Sequence, residues 1–278
     1  MTSTPPHTRL PSRGVIEIAG DDRRSFLQGL VTNDVMALTP GNTTYAALLT
    51  PQGKYLFDFL VVDDGERLLL DVEAARRDDL IRRLMLYKLR AKVTITDRTA
   101  ELAVAITPDG REDPRHPLLG RRAILPYVEA EKLPADESAY QAQRLRLGIP
   151  EGSGDFIVDK LLILEGNLDY LNGVSFKKGC YVGQELTARM KHRGKVRKRL
   201  LPVQVTGALP PDGTPITEDG KEIGELRGGL GARAIAYLRL DDLAMGKSYR
   251  CGDAMVTPER PAWLPETALN PGQEEKIG

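Results

Sequence analysis

The sequence predicts an α+β fold with a small antiparallel β-module at its C-terminal end. Up to about residue 199, segments with apolar residues at helical spacing alternate with segments of apolar–polar alternation, which indicates helices and half-buried strands in one domain. After residue 199, short β-type segments are separated by turns rich in Gly, Pro and Asp. That pattern is typical of a small antiparallel barrel or sandwich.

The elements of the first part follow from these periodicities. A helix begins after Asp21 or Asp22 and ends at the polar stretch Thr32-Asn33-Asp34, where residues suited to a turn or a site replace the apolar face. The turn residues Pro51-Gln52-Gly53-Lys54 join two apolar runs and predict a hairpin. The remaining elements are strands at 15–18, 45–50, 55–62, 68–72, 93–95, 102–106 and 123–128, and helices at 74–89 and 136–147.

The domain organisation is predicted from loops and from the change in character after residue 199. We expect a body over 1–199, with an internal boundary near 108–122 in a loop rich in Pro, Gly and charge. A β-barrel over 200–264 follows, built from segments 201–205, 223–226, 232–238 and 255–257. The polar residues 265–278 are expected to be a disordered tail and residues 1–11 a loose arm.

Composition places the chain among soluble globular proteins. Hydrophobic residues make up 41% and charged residues 28% of its 278 residues, which is ordinary for that class. No apolar run approaches membrane-spanning length and no apolar leader is seen. These features predict a cytoplasmic protein without a membrane partner.

Cysteine and histidine usage excludes the common metal sites. Cys180 and Cys251 are the only two cysteines and neither stands in a CxxC motif, so the chain alone cannot supply four cysteine ligands to zinc or to an iron–sulfur cluster. The three histidines are scattered over loop-like segments. We therefore expect no resident metal.

The stretch Lys177-Lys178-Gly179-Cys180-Tyr181-Val182-Gly183-Gln184-Glu185 is the hardest to explain as ordinary fold. Its two glycines suggest positive φ or a close backbone approach, and its lysines could hold part of the Cys180 thiol as thiolate. A buried structural cysteine is the commoner fate of a lone thiol. The glycines and lysines favour an accessible functional thiol instead, whereas Cys251 has no such context.

Charge is concentrated around this stretch. Residues 177–199 hold nine basic residues and one acidic residue, and the rest of the chain has 30 basic against 38 acidic residues. A cationic strip on an acidic body suggests an anionic ligand or partner, although the run 191–199 could equally be a solvated connector. Arg189 is the better candidate for a specific anion contact because its guanidinium binds carboxylates in bidentate fashion.

Three motifs give the sequence a family resemblance. They are the signature Lys178-Gly179-Cys180-Tyr181-Val182-Gly183-Gln184-Glu185 followed by Ala188-Arg189, the stretch from Phe26 to Val35, and Leu49-Thr50-Pro51-Gln52-Gly53-Lys54. With them the chain resembles the YgfZ family of folate-binding proteins, relatives of the glycine-cleavage T protein that assist iron–sulfur proteins. The resemblance implies ferredoxin-like modules around a central folate-binding channel, with an added β-barrel.

The same resemblance implies the cofactor, the partners and the site. The cofactor would be tetrahydrofolate or a related folate, and the partners would be iron–sulfur client or assembly proteins. Asn33, Asp34, Glu165 and Arg189 would contact folate, and Cys180 would act as the functional thiol. The signature residues around the thiol are Lys178, Gly179, Tyr181, Gly183, Gln184 and Glu185.

Two other functions stay open at this stage. One is a tetrahydrofolate-dependent aminomethyltransferase, but such enzymes carry an Asp-Asp pair where this chain has Phe57-Asp58, and Phe57 cannot donate a proton. The other is a nucleic-acid-binding protein, related to RNA or tRNA modification, that uses the basic strip. Tyr181 is the only aromatic residue there for base stacking, and a neutral net charge also fits nucleic acid poorly. The sequence favours an accessory protein over an enzyme.

Overall fold

The structure is a computed structural model that describes residues 7–193 and 196–270. These residues divide into two compact units. The first lies within Met1–Tyr140 and Leu171–Gln184, and the second within Gln141–Tyr170 and Glu185–Gly278. This division by packing differs from the domain boundaries expected from the sequence, which stay a prediction. Within the described ranges, no helix is long and apolar enough to cross a membrane.

Fourteen strands and six α-helices are found in the described residues. The strands are β1 (Thr8–Arg9), β2 (Arg13–Ala19), β3 (Thr43–Leu49), β4 (Tyr55–Asp63), β5 (Arg67–Glu73), β6 (Thr94–Asp97), β7 (Leu102–Glu112), β8 (Arg121–Pro126), β9 (Lys198–Thr206), β10 (Pro215–Glu218), β11 (Lys221–Leu230), β12 (Arg233–Arg239), β13 (Tyr249–Cys251) and β14 (Ala254–Pro258). The helices are α1 (Arg23–Gln28), α2 (Arg77–Lys88), α3 (Tyr127–Ala130), α4 (Ser138–Leu147), α5 (Gly152–Asp155) and α6 (Gln184–Arg193).

Two antiparallel sheets form the first unit. The larger has the order β3-β4-β5-β2-β6 and the smaller the order β1-β7-β8. All nine residues of β4 are buried, including the two aspartates Asp58 and Asp63, so this strand packs on both of its faces. The predicted hairpin between β3 and β4 is confirmed: Thr50 N–H donates to Lys54 O at 2.8 Å, and Gly53 adopts a positive φ of 75°.

A buried charge cluster lies in the core of the first unit. Asp71 of β5 accepts from Arg13 Nε of β2 at 2.6 Å and also pairs with Arg122 of β8. The same Arg122 donates to the Tyr140 hydroxyl. The Asp71 carboxylate thus binds one arginine of its own sheet and one of the second sheet, so the cluster links the two sheets. Removing one partner of such a group would leave a buried charge without compensation.

The second unit contains a closed six-stranded antiparallel barrel in the order β10-β11-β12-β9-β14-β13. Its core is filled by apolar side chains from alternate strand positions, including Leu201, Val203, Ile216, Ile223, Ala236 and Val256. The C-terminal barrel predicted from the sequence is thus confirmed. Strands β10 and β13 were not predicted because they span four and three residues, which is too short for an alternating pattern to stand out.

Three stretches differ from the sequence-based expectation. The arm contains strand β1, although residues 1–6 lie outside the described ranges. The expected loop 108–120 is partly strand, because β7 continues to Glu112 and pairs with β8 beyond a register shift between Ile106 and Arg111. In the expected tail, Glu266–Leu269 form a 3-10 helix with Ala268 buried, and residues 271–278 lie outside the described part.

Candidate functional site

The polar stretch after α1 is held in place by hydrogen bonds to β3 and to segment 171–184. The buried Thr32 hydroxyl donates to Gly173 O at 2.6 Å and accepts from Ala47 N at 2.9 Å. The Asn33 amide nitrogen lies 2.7 Å from Asn172 O and 2.8 Å from Tyr45 O. Asn33 therefore joins two chain segments with its side chain, which is a positioning role within this unit.

One carboxylate oxygen of Asp34 is used in hydrogen bonds that stabilise the turn after α1. Its Oδ1 accepts from Met36 N at 3.0 Å and Ala37 N at 3.1 Å, and from the Gln28 side-chain amide at 3.1 Å. No hydrogen bond to its Oδ2 is found among the described residues, and the side chain is half-buried. A half-buried carboxylate oxygen that is not used by the fold can accept from a ligand N–H.

Lys178 is the buried centre of this arrangement. Its ammonium group donates to three main-chain oxygens, Gln28 O at 2.7 Å, Val31 O at 2.6 Å and Asn33 O at 2.8 Å. Burial lowers the pKa of Lys178 to about 8, although the charge of Asp34 acts in the opposite direction. All three hydrogens of the ammonium group are thereby used, and the signature segment is tied to the end of α1.

The two signature glycines differ in what they allow. Gly183 has a φ of 82°, and a Cβ there would lie 2.5 Å from Thr50 O, so both the backbone and the neighbouring hairpin require glycine. At Gly179 a Cβ would meet nothing within 4 Å. The prediction of a special backbone position is confirmed for Gly183 and wrong for Gly179.

Cys180 lies between two buried anchors. Lys178 and Tyr181 are buried on either side of it, and Val182 N donates to Gly29 O at 3.3 Å, while Cys180 itself is exposed. Gln184 accepts from Tyr181 N at 3.3 Å through its side chain. The Cys180 thiol is therefore accessible to solvent, while the neighbouring residues of the loop are held in place by their contacts. Cys251, in contrast, is fully buried in the barrel.

Glu165 lies in the second unit and contacts the barrel. Its Oε2 accepts from the Tyr237 hydroxyl at 2.8 Å and from Leu162 N at 3.0 Å. Burial raises the pKa of Glu165, although these two hydrogen bonds and Lys198 oppose the change. Tyr237 was not singled out in the sequence, because 72 residues separate it from Glu165 and no local pattern connects the two.

Arg189 and Glu185 lie on α6 in the same unit. Both side chains are exposed, and no ion pair is found for either among the residues that the structure describes. An exposed guanidinium without a fixed partner suits a carboxylate-bearing ligand.

Part of the basic run is structural. Arg199 is fully buried, where it donates to Leu164 O at 2.7 Å and to Ala268 O at 2.9 Å. Lys191 pairs with Asp169 at 3.2 Å. The side chains of residues 193–195 lie outside the description. The basic run 191–199 is therefore not simply a solvated connector.

The Phe57-Asp58 pair is enclosed in the first unit. Asp58 is buried, with Oδ1 accepting from the Tyr55 hydroxyl at 2.6 Å and Oδ2 from the Tyr45 hydroxyl at 3.1 Å. The Phe57 ring lies 4.2 Å from the Arg76 guanidinium carbon. Both carboxylate oxygens of Asp58 are thus used within the fold, which leaves neither as a ready proton donor to a ligand.

The predicted site residues fall into two groups. Asn33, Asp34 and the signature from Lys178 to Gln184 come together in the first unit, whereas Glu165, Glu185 and Arg189 belong to the second. Gln28 was missed: its Oε1 accepts from Val35 N at 2.8 Å and so shapes the turn that carries Asp34. Across residues 7–193 and 196–270, no group of three or more His, Cys, Asp or Glu could hold a metal ion.

Two protein families match parts of the sequence. Residues 11–107 match the family described as GCVT N-terminal domain, and residues 197–266 match the one described as CAF17, C-terminal beta-barrel domain. The solved aminomethyltransferase T of the glycine cleavage system from Bartonella henselae is similar to the chain with a TM-score of 0.74, covering 93% of this chain and 86% of that one. At 15% identity this likeness concerns the fold alone, and it confirms the aminomethyltransferase-like fold.

Curated relatives are more similar in sequence. The chain is 38% identical to the mitochondrial iron–sulfur cluster assembly factor IBA57 homolog of Mycosarcoma maydis, over 73% of this chain and 58% of the relative. It is 32% identical to mitochondrial IBA57 of Mus musculus, over 94% and 86% of the two chains, and to that of Homo sapiens, over 83% and 76%. The chain thus spans just over half the length of the fungal relative.

The names of these relatives correct one expectation. Each of the three is named as mitochondrial. The cytoplasmic location predicted from the sequence is therefore wrong. That prediction depended on the absence of an apolar leader, and such an absence carries no information about compartment.

Proposed function

Because this chain belongs to the family of the iron–sulfur cluster assembly factor IBA57, we propose that it takes part in assembling iron–sulfur clusters. The observation that carries the proposal is the presentation of Cys180. Cys180 is exposed, whereas Lys178 and Tyr181, which lie before and after it in the loop, are buried. A thiol held in this way can reach a protein-bound cluster without unfolding its own support.

The chemistry of a single thiol limits what this chain does alone. An iron–sulfur cluster is held by four protein ligands, mostly cysteine thiolates, and the described residues offer no group of metal-binding side chains around Cys180. The iron–sulfur cluster is therefore cargo, and an assembly or client protein supplies the remaining ligands. Cys180 would provide one thiolate during transfer or exchange.

Folate binding is the second part of the proposal. The aminomethyltransferase-like fold supports it, as does the earlier resemblance to the YgfZ family. The Asp34 Oδ2 atom fits the N–H donors of a pterin, and Asn33 would hold the Asp34 turn in place. Bound tetrahydrofolate would supply a reduced pterin with one-carbon-carrying nitrogens.

Aminomethyl transfer is not part of this proposal. That reaction needs a proton donor at the reactive folate nitrogen, and the oxygens of Asp58 are occupied by two tyrosine hydroxyls. We expect no turnover when this protein replaces the T protein in a reconstituted glycine cleavage system. Robust turnover there would return the chain to the enzyme class.

The thiol is tested in cells that lack their own IBA57-type factor. Wild type and the Cys251→Ser variant should restore the activity of iron–sulfur enzymes, and Cys180→Ala should not, although it should fold normally because its side chain is exposed. Complementation by Cys180→Ala equal to wild type would remove the thiol from the proposed function. Circular dichroism and urea unfolding confirm that each variant is folded.

The folate part is tested separately by titration calorimetry with tetrahydrofolate. Asp34→Asn should weaken binding by about 1–3 kcal/mol if one oxygen meets a ligand donor. Glu165→Gln keeps an oxygen for the Tyr237 hydroxyl and should retain the fold. Unchanged affinity in Asp34→Asn would remove this carboxylate from the folate site, whatever the outcome of the thiol test.

A further inference from the structure

The C-terminal end of α2 exposes three apolar side chains close together. Met85 is 48%, Leu86 69% and Leu89 88% exposed. Residues three and four apart are neighbours on a helix, so these side chains group around the last turn. We name residues 82–92 the α2 tip. Single exposed leucines are common on proteins, whereas a contiguous group marks an interaction surface.

Leu89 is also in an unfavourable backbone conformation. It follows the last helical residue with φ of 41° and ψ of −107°, and a Cβ is disfavoured at positive φ. At 88% exposure its side chain makes almost no contact that would compensate. A leucine at this position lowers both the stability and the solubility of the chain. Its presence is therefore better explained by an interaction with another molecule than by folding.

The charged residues of the α2 tip itself are all basic. Residues 82–92 include Arg82, Arg83, Lys88, Arg90 and Lys92 and no acidic residue. Arg82 forms an ion pair with Asp79, which lies three residues earlier on α2. For the other four cations, no ion pair is found within the described ranges. Two carboxylates border the tip, Asp79 beside Arg82 and Asp22, whose Oδ2 accepts from Lys92 N at 2.8 Å. Positive charge still predominates at the tip, and an anionic surface would complement it.

The shape and composition of the tip favour a lipid surface over a protein partner. Side chains this exposed project from the helix end, and a protein would need a matching concave pocket to bury them, whereas a bilayer accommodates them directly. Leucine together with Lys and Arg is the combination found on interfacial amphipathic helices.

We infer that the α2 tip is a peripheral membrane-binding site that inserts Leu86 and Leu89 among the head groups of anionic lipids. The lysines and arginines contact the lipid phosphates, and the leucines leave water for the acyl boundary. This contact is reversible and interfacial, because only a few side chains enter the bilayer. It is independent of Cys180 and of folate.

The test is flotation of the full chain with two kinds of vesicle. One kind is phosphatidylcholine alone and the other is equal parts phosphatidylcholine and phosphatidylglycerol. Binding is expected only to the second kind and should weaken as salt is raised, since salt screens the attraction between exposed charges. Inorganic phosphate should not compete effectively, because it offers no apolar phase for the leucines.

Variants separate insertion from simple charge attraction. Leu86→Gln combined with Leu89→Gly should lower the partition coefficient onto anionic vesicles about tenfold or more, since each buried methylene contributes to membrane affinity. Leu89→Gly alone should leave the midpoint of urea unfolding unchanged or raise it, because glycine accepts the positive φ. The control is Val128→Gln, another exposed apolar residue of the same unit, which should bind as wild type does.

Two results would overturn the inference. One is wild-type protein that floats with neither kind of vesicle. Binding that survives in the double leucine variant but is lost in Arg90→Glu would show charge attraction without insertion. Loss of binding in the leucine variants, with retained stability and a normal Val128→Gln control, supports it.

Discussion

Lys178 and Asn33 meet through a hydrogen bond of 2.8 Å, in which the buried ammonium group of Lys178 donates to the main-chain oxygen of Asn33. The same group also binds the main-chain oxygens of Gln28 and Val31. The signature segment that carries the exposed thiol is thus attached to the turn that carries Asp34. Lys178 therefore stabilises the signature segment and the Asp34 turn together, and it does so by donating to main-chain oxygens.

Replacing this lysine should therefore destabilise the fold. In Lys178→Met the aliphatic stem is kept and the donors are lost, so buried carbonyl oxygens are left without partners. We expect the free energy of unfolding to fall by about 1–3 kcal/mol, measured by urea unfolding. Lys177→Met is the matched control because Lys177 is exposed, and its stability should equal that of wild type. Equal losses in both variants would contradict the supporting role of Lys178.

The stabilising effect of Lys178 should also depend on pH. Its pKa is lowered by burial from 10.5 to about 8, so the folded chain releases this proton before the unfolded chain does. Between these two values the unfolded state binds more protons, and the contribution of this group to the free energy of unfolding rises with pH. The stability difference between wild type and Lys178→Met should be constant below about pH 8 and grow above it. A difference independent of pH would indicate an unshifted pKa.

The two signature glycines should respond differently to substitution. Gly183→Ala places a Cβ 2.5 Å from Thr50 O at a φ of 82°, and strain of this kind costs on the order of 1–3 kcal/mol. Gly179→Ala meets open space and should be nearly neutral. Thermal unfolding of the two variants compares them directly. If Gly179→Ala were the more damaging change, the backbone requirement would lie elsewhere in the loop.

Alkylation should distinguish the two thiols. Cys180 is exposed, whereas Cys251 is fully buried in the barrel and burial raises the pKa of its thiol. We expect iodoacetamide to label Cys180 rapidly in the native protein and Cys251 only after unfolding, because the thiolate is the reactive form. Peptide mass spectrometry reads both sites in one sample. Native labelling of Cys251 at the rate of Cys180 would contradict its placement in the barrel core.

The sequence predicted those features that depend on neighbouring residues. The β3–β4 hairpin follows from the turn residues Pro51-Gln52-Gly53-Lys54. The short C-terminal segments with their turns also predicted the barrel. In each case the determining interaction lies within a few residues or in a repeated local pattern, which is what periodicity and turn chemistry report.

The features that the sequence did not predict depend on distant partners. Lys178 and Gln28 are 150 residues apart, and the acceptor is a main-chain oxygen that every residue type offers equally. The Glu165–Tyr237 hydrogen bond spans 72 residues and is equally invisible to local patterns. The strain at Leu89 was hidden for another reason: its apolar side chain continues the helical periodicity of α2, so the sequence extends the helix through it.

The contacts of segment 171–184 have a consequence for how the protein is made. The first 140 residues leave the ribosome well before this segment, and domains commonly fold in the order of their synthesis, at about 5–20 residues per second. Until residue 178 has emerged, the turn after α1 has no ammonium group to bind its carbonyl oxygens. A nascent or truncated chain therefore cannot complete its first unit without also carrying Cys180. The exposed thiol and the lysine that supports its loop are therefore synthesised almost together.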